Sequence, residues 1–224
     1  MHELEVLENR EIADEQHLLA LALGETTLSA EYGVPGQYVQ LTVGEAKPAF
    51  MAIGSAPGRD RFEFLIRRSE GTAGLLCEVA VGGVVRCSGV MGKGFAVERL
   101  TGRSTLFMAG GTGISAVRAL IESRDSWPGG SRLYYGAKTP SALAWTDLFE
   151  AWQRRGVRVY ATVDEASEGW NGHVGYPVQI YAQDPLGDGR EAALVLCGPG
   201  PMCEAATTML VAAGMPPDMA LKNY

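Results

Sequence analysis

"LFMAGGTGISAVRAL", residues 106–120, joins an apolar run to a second run with helical spacing through a glycine turn made of Gly110, Gly111 and Gly113. Glycine costs backbone entropy, so a cluster of them marks a place where the chain bends tightly or where something approaches the backbone closely. Gly111, Gly113 and Ala116 satisfy the G-x-G-x-x-G/A spacing of a dinucleotide turn, in which amides at a helix start face a pyrophosphate. The pattern alone does not separate this reading from a turn that needs glycine only for close packing, so the flanking chain decides.

Downstream, strands alternate with helices. "TLFMAG" leads into a helix over "ISAVRALIES", then "SRLYYGA", then an expected helix with Thr139 as cap and Pro140 at its first position. In that helix Trp145, Leu148, Phe149 and Trp152 would stand at i, i+3, i+4 and i+7 as a core stripe, with Gly156 suited to its end. "VRVYATV" and "AALVLCG" supply further strands, and a helix is expected from about Pro201 to Gly214. Such alternation implies a parallel sheet covered by helices, with ligands beyond the carboxyl ends of the strands. The glycine turn and "CGPGPM" (197–202) both lie at such ends. The acidic residue that binds ribose about 20 positions after an ordinary Rossmann turn is missing, since that region reads "YYGAK".

Upstream the grammar differs. To about residue 98, short runs such as "HLLALAL", "QYVQLTV", "FMAIGS", "RFEFLIRR" and "GGVVRCSGV" are punctuated by Gly, Pro and Asp, the pattern of an antiparallel barrel or sandwich. In "RFEFLIRR", Phe62, Phe64 and Ile66 share one face and Glu63, Leu65 and Arg67 the other, which predicts a strand with one face in the core. The expected fold is therefore two-domain: an antiparallel β-barrel over residues 1–98, then an α/β parallel-sheet domain over 99–224, with the cleft between them.

Composition narrows the partners. A formal charge of −7 over 224 residues argues against nucleic acid, which needs clustered Lys and Arg. No apolar run approaches the roughly 20 residues of a membrane span, and "MHELEVLENREIADEQ" is acidic with no secretion-signal stretch. The expectation is a soluble intracellular protein, cytoplasmic or, with a transit peptide removed, plastidic. Cys77, Cys87, Cys197 and Cys203 form no C-x-x-C pair, and His2, His17 and His173 stand far apart, so no metal site is expected.

The order "AGGTGIS", "YYGAK", "CGPGPM" behind a β domain resembles the ferredoxin-NADP reductase superfamily over nearly the full length. Within it, "FMAIGSAP", "VMGKGF", "LYYGA" and a final "LKN" plus aromatic are similar to the reductase-like proteins of plant chloroplasts and fruit. The resemblance implies an FAD between the domains, a nicotinamide dinucleotide on the second domain, and hydride transfer from one to the other. It assigns Gly111, Thr112 and Gly113 to the dinucleotide, Cys197 to the reacting nicotinamide ring, and Gly198, Pro199 and Met202 to the flanking loop. It also implies that Tyr224 stacks on the flavin.

The resemblance breaks at the flavin signature Arg-x-Tyr-Ser, which here reads Ala49, Phe50, Met51, Ala52. Met51, Ala52 and Ile53 would still border the flavin, but the arginine–phosphate contact is gone. Arg67, Arg68 and Lys93 are the candidate replacements, and Gly71, Thr72, Ala73 and Gly74 of "EGTAG" match the loop that cradles the FAD pyrophosphate. Asp164, followed by Trp170 and Gly172, resembles the arrangement of NADH-dependent members; Lys138 and Arg158 are cations that could instead offset a phosphate and admit NADPH. The sequence thus predicts an FAD-dependent NAD(P)H oxidoreductase whose acceptor, such as ferredoxin, a quinone or a small oxidant, is not encoded legibly. The alternative is a degenerate relative with weak or no flavin binding that acts as an interaction or regulatory module.

Overall fold

A computed structural model describes residues 1–185 and 189–223. In its first half, β1 (His2–Ala13), β2 (Gln16–Ala22), β3 (Tyr38–Thr42), β4 (Ala49–Ala52), β5 (Arg61–Arg67) and β6 (Val84–Cys87) form one antiparallel sheet in the order β4-β3-β6-β1-β2-β5. Its two outer strands meet where the Gly54 N–H, just past β4, donates to the Glu63 carbonyl of β5 at 2.7 Å, so the sheet curls toward a barrel. Two short helices, α1 (Leu28–Glu31) and α2 (Thr72–Glu78), lie in its connections. Leu4, Val6, Leu19, Leu21, Phe62 and Phe64 fill the interior.

The second half is a parallel sheet in the order β10-β9-β8-β7-β11-β12. Its strands are β7 (Ser104–Gly110), β8 (Arg132–Ala137), β9 (Arg158–Val163), β10 (His173–Val174), β11 (Ala192–Cys197) and β12 (Ala220–Lys222). Packed with it are α3 (Ile114–Glu122), α4 (Phe149–Arg154), α5 (Pro177–Gln183) and α6 (Gly200–Ala212). The chain runs outward from β7 through β8 to β9, then returns to the other side of β7 as β11. That reversal makes the carboxyl ends of β7 and β11 the topological switch point, where open α/β sheets bind ligands.

Several expectations change. β1, the longest strand, lies where the sequence pattern marks none: its Glu-rich sequence masks the alternation of Leu4 and Val6, whose side chains turn into the barrel. β5 is buried on both faces, because Glu63 and Leu65 lie against the second half instead of water. The single helix expected after Thr139 is broken into a 3-10 turn at Pro140–Ala142, a second at Thr146–Leu148, and α4. Trp145 interrupts it with φ +55, in the left-handed region, and its ring lies under the Arg118 guanidinium at 4.5 Å. The stripe still packs: Trp145 and Trp152 are buried, with Leu148 and Phe149 half-buried against the same core.

Candidate functional site

The end of β7 and the end of β11 are locked together by glycines. A methyl group at Gly113 would overlap the carbonyl oxygen of Cys197 and come within 2.5 Å of its carbon, and one at Gly110 would meet Pro199 Cδ at 2.7 Å. At Gly198, with φ +154, it would meet the Gly110 nitrogen at 2.8 Å. These three are demanded by packing. Gly111 differs: it has φ +52 and open space around the missing Cβ, so there the backbone is left bare toward the cleft. Close packing therefore accounts for Gly110 and Gly113, whereas at Gly111 the backbone is open to close approach.

The cleft that begins here has a volume of about 800 Å³, within the size range of cofactor pockets. One wall is barrel, with Gln16, Phe50, Met51, Ala52, Leu65 and Arg67; the other is the second domain, with Gly110–Gly113, Ser115, Ala137–Thr139, Ala142 and Cys197–Pro199. Of the expected residues, Met51, Ala52, Arg67, Gly111, Thr112, Gly113, Cys197, Gly198 and Pro199 come together. Ile53 is fully buried in the barrel core instead. Met202 stands behind the glycines, its Sδ 3.2 Å from where a Gly110 methyl would lie. Tyr224 lies outside the described residues.

The loop Gly71–Gly74 does not line this cleft. Thr72 donates its hydroxyl to the Lys47 carbonyl at 2.5 Å, and Gly74 is required because a methyl there would overlap the Ser69 carbonyl oxygen. Of the candidate cations only Arg67 faces the cleft, loosely paired with Glu15 at 3.6 Å. Arg68 is held by Glu78 at 3.1 Å, and Lys93 does not reach the cleft lining. Asp164 follows β9, outside the cleft lining. Its N–H donates to the Ala137 carbonyl, and Glu165 N–H donates to that of Lys138. Burial and the neighbouring Glu165 raise the Asp164 pKa above the usual aspartate value, with Lys138 pulling the other way.

Cys197 is half-buried at the cleft floor, and burial pushes its thiol up to about 12. It is therefore a neutral, polarizable surface at physiological pH and not a nucleophile. Three residues that sequence reading left out complete the site. Phe50 is exposed on the rim, edge-to-face with Tyr38 at 5.7 Å. Gln16 Oε1 and Ser115 Oγ are buried polar atoms without a hydrogen-bond partner among the described residues. No sequence signal marks Gln16 or Ser115, because each depends on how the barrel meets the second domain; Phe50 lies in the altered signature but at its unspecified position.

That meeting is tightly made. The β1–β2 hairpin reaches across: Asp14 N–H donates to the Ser141 carbonyl at 2.9 Å, Ser141 Oγ to Asp14, and Gln16 Nε2 to the Ala142 carbonyl at 2.6 Å. On another part of the interface Arg118 of α3 pairs with Glu63 of β5 at 2.7 Å and with Glu122 at 3.1 Å.

Residues 107–208 match the oxidoreductase NAD-binding domain family. The chain is 36% identical over 199 residues to fruit protein pKIWI502 of Actinidia deliciosa, covering 81% of this chain and 63% of that protein. It is 30% identical over 206 residues to the toluate 1,2-dioxygenase electron transfer component of Pseudomonas putida, covering 89% of this chain and 60% of that one. A solved ferredoxin reductase of carbazole 1,9a-dioxygenase superposes with a TM-score of 0.80 at 26% identity, over 99% of this chain and 68% of its own. The chain thus has the two-domain fold of the ferredoxin-NADP reductases and is similar to such proteins along nearly its whole length. It spans a little over three fifths of the length of these two curated relatives. Among the described residues no helix is long and apolar enough to cross a membrane, and no cluster of metal-ligating side chains occurs.

Proposed function

We propose that the protein is an FAD-dependent NAD(P)H oxidoreductase that hands electrons to a separate acceptor, a ferredoxin or oxygenase component of the kind its relatives' names describe. The observation that carries the reading is the cleft at the switch point, where bare Gly111, neutral Cys197 and an apolar barrel wall converge. Its residues fit a flavin ring: Met51, Ala52 and Phe50 offer apolar contact, and Gln16 among the lining residues carries an unpartnered amide oxygen. When bound, the flavin would accept hydride from the nicotinamide. The protein's part is to hold the two rings face to face with water excluded, Gly111–Gly113 and Gly198 leaving room for close approach and Cys197 adding no competing charge. The missing arginine at position 49 leaves Arg67 as the cation for a flavin phosphate. A charge-assisted contact contributes about 1.5–3 kcal/mol, and solvent exposure of Arg67 puts it at the low end.

Two expected results test this. Freshly purified protein, or protein supplied with FAD, shows flavin absorption bands, and Arg67→Ala weakens FAD binding about tenfold while Arg68→Ala and Lys93→Ala leave it within about twofold. A colourless protein that ignores added FAD would favour the degenerate-module alternative, for which the altered signature Ala49–Ala52 speaks.

For the nicotinamide, Asp164 and Glu165 follow the carboxyl end of β9 with one nearby cation, Lys138, which pairs with Glu165 at 3.5 Å. Arg158 lies at the opposite end of that strand, about 20 Å away by strand rise, and cannot offset them. Carboxylates accept hydrogen bonds from ribose hydroxyls and repel a 2'-phosphate. NADH is therefore expected to exceed NADPH in kcat/KM by at least about tenfold, with Asp164→Ser narrowing the gap. Steady-state reduction of an artificial acceptor with each cofactor checks it; a preference for NADPH overturns the assignment of Asp164 alone.

A further inference from the structure

Gln16 stands where a reader of the cleft's occupant should stand. It opens β2, opposite Arg67 of β5 and Ala13 of β1, and is only 5% exposed although it lines the cleft. Its Nε2 is tied across the domain gap to the Ala142 carbonyl at 2.6 Å. That tie fixes the amide orientation, since the reverse would set oxygen against oxygen. Oε1 is left as an acceptor with no partner among the described residues. A buried carbonyl oxygen without a partner is destabilising, and natural proteins keep such atoms mainly where something else completes them.

The chemistry of the missing partner follows. An acceptor needs a donor, so phosphate oxygens, themselves acceptors, are excluded. Glu11, Asp14 and Glu15 also line the cleft and disfavour an anionic group against the amide itself. Leu65, Ala137 and Ala142 supply apolar surface beside the amide. A neutral, flat ring bearing an amide-type N–H meets all three conditions.

Resting on the reductase reading above, we propose that Gln16 is a specificity-determining residue that accepts a hydrogen bond from the amide or imide N–H of the ring bound in the cleft. Two rings carry such a group: the flavin, as a ring imide, and the nicotinamide, as a carboxamide. Loss of one net hydrogen bond of this kind lowers affinity about five- to tenfold.

The experiment measures dissociation constants on the full chain by fluorescence titration. It compares FAD with N3-methyl-FAD, and NAD+ with 3-acetylpyridine adenine dinucleotide, each analogue lacking the N–H. The unmodified protein is expected to prefer one parent over its analogue by about five- to tenfold, and the pair that shows it identifies the ring. Gln16→Met, close in shape but without the amide, should bind that parent and its analogue equally. Ser141→Ala, which cuts a neighbouring cross-domain bond and leaves the acceptor intact, should keep the preference. The inference is overturned if the unmodified protein binds both parents without preferring either, if Gln16→Met retains the preference, or if Ser141→Ala loses it equally. Failure of the unmodified protein to bind FAD and NAD+ overturns the reductase reading and this inference together. Because the analogue comparison on the unmodified protein can overturn the inference by itself, a variant that does not fold still leaves it falsifiable.

Discussion

Arg118→Ala is expected to lower the unfolding free energy by about 3 kcal/mol, read as a reduced urea midpoint with an unchanged slope. Arg118 sits at 12% side-chain exposure with its guanidinium on Glu63, which is 7% exposed, on Glu122, and over the Trp145 ring. Removing it takes one of two cations from the buried Glu63 carboxylate, and an undercompensated buried charge costs more than the pair itself contributes. Arg61 also reaches Glu63, at 2.7 Å, which keeps the figure at the lower end of the usual range. Converting both partners together, Arg118→Met with Glu63→Gln, should recover most of the loss. A single-variant effect below about 1 kcal/mol would mean that water reaches Glu63 and that the interface is not a dry one.

Gly113→Ala should be the most damaging single methyl in the cleft. Its backbone is ordinary for any residue, with φ near −60, so the effect is steric alone. The added carbon would overlap the Cys197 carbonyl oxygen and sit 2.9 Å from the Gly198 nitrogen, and neither is the end of a flexible side chain. Either α3 or the end of β11 must move, and with it Thr112 or Cys197. Displacement of about 1 Å near reacting groups costs on the order of a hundredfold in rate, together with about 1–3 kcal/mol in stability from overpacking. Gly111→Ala is the contrast: nothing lies within 4 Å, so it pays only for its left-handed backbone at φ +52, about 1–2 kcal/mol. Single-turnover flavin reduction by NADH and chemical denaturation of both variants check the pair. Equal behaviour of the two would show that the glycine lock between β7 and β11 does not set the geometry of the cleft.

The glycine lock also shows what was legible beforehand. "AGGTGIS" and "CGPGPM" could be placed at strand ends from local pattern, because glycine and proline announce backbone geometry where they occur. The change from short alternating runs to strand-helix alternation gave both domains for the same reason. What failed were the places where one domain overrides the other. The 3.6-residue spacing of Trp145, Leu148, Phe149 and Trp152 is real, yet the contact of Trp145 with Arg118 accompanies a left-handed break in the middle of it. Glu63 and Leu65 alternate like a solvent face and are buried by a partner that lies far along the chain. Gln16 carries no motif at all, and Phe50 stands at the unspecified position of the altered signature; they enter the site because β2 and β4 form the wall that the second domain faces.

The cross-domain bond from Gln16 to the Ala142 carbonyl joins residues 126 positions apart, and this separation bears on how the chain is made. The barrel is translated whole before the loop it must dock against exists. At ribosomal speed, on the order of ten seconds pass between synthesis of Gln16 and of Ala142. For part of that interval, from their own synthesis until the second domain arrives, Leu18, Leu65 and the Glu63 carboxylate, all covered in the finished protein, face water or the exit tunnel. The nascent barrel therefore carries a half-formed seam whose stickiness is temporary, and Glu63 in its midst supplies a charge that discourages that seam from pairing with another copy until α3 arrives.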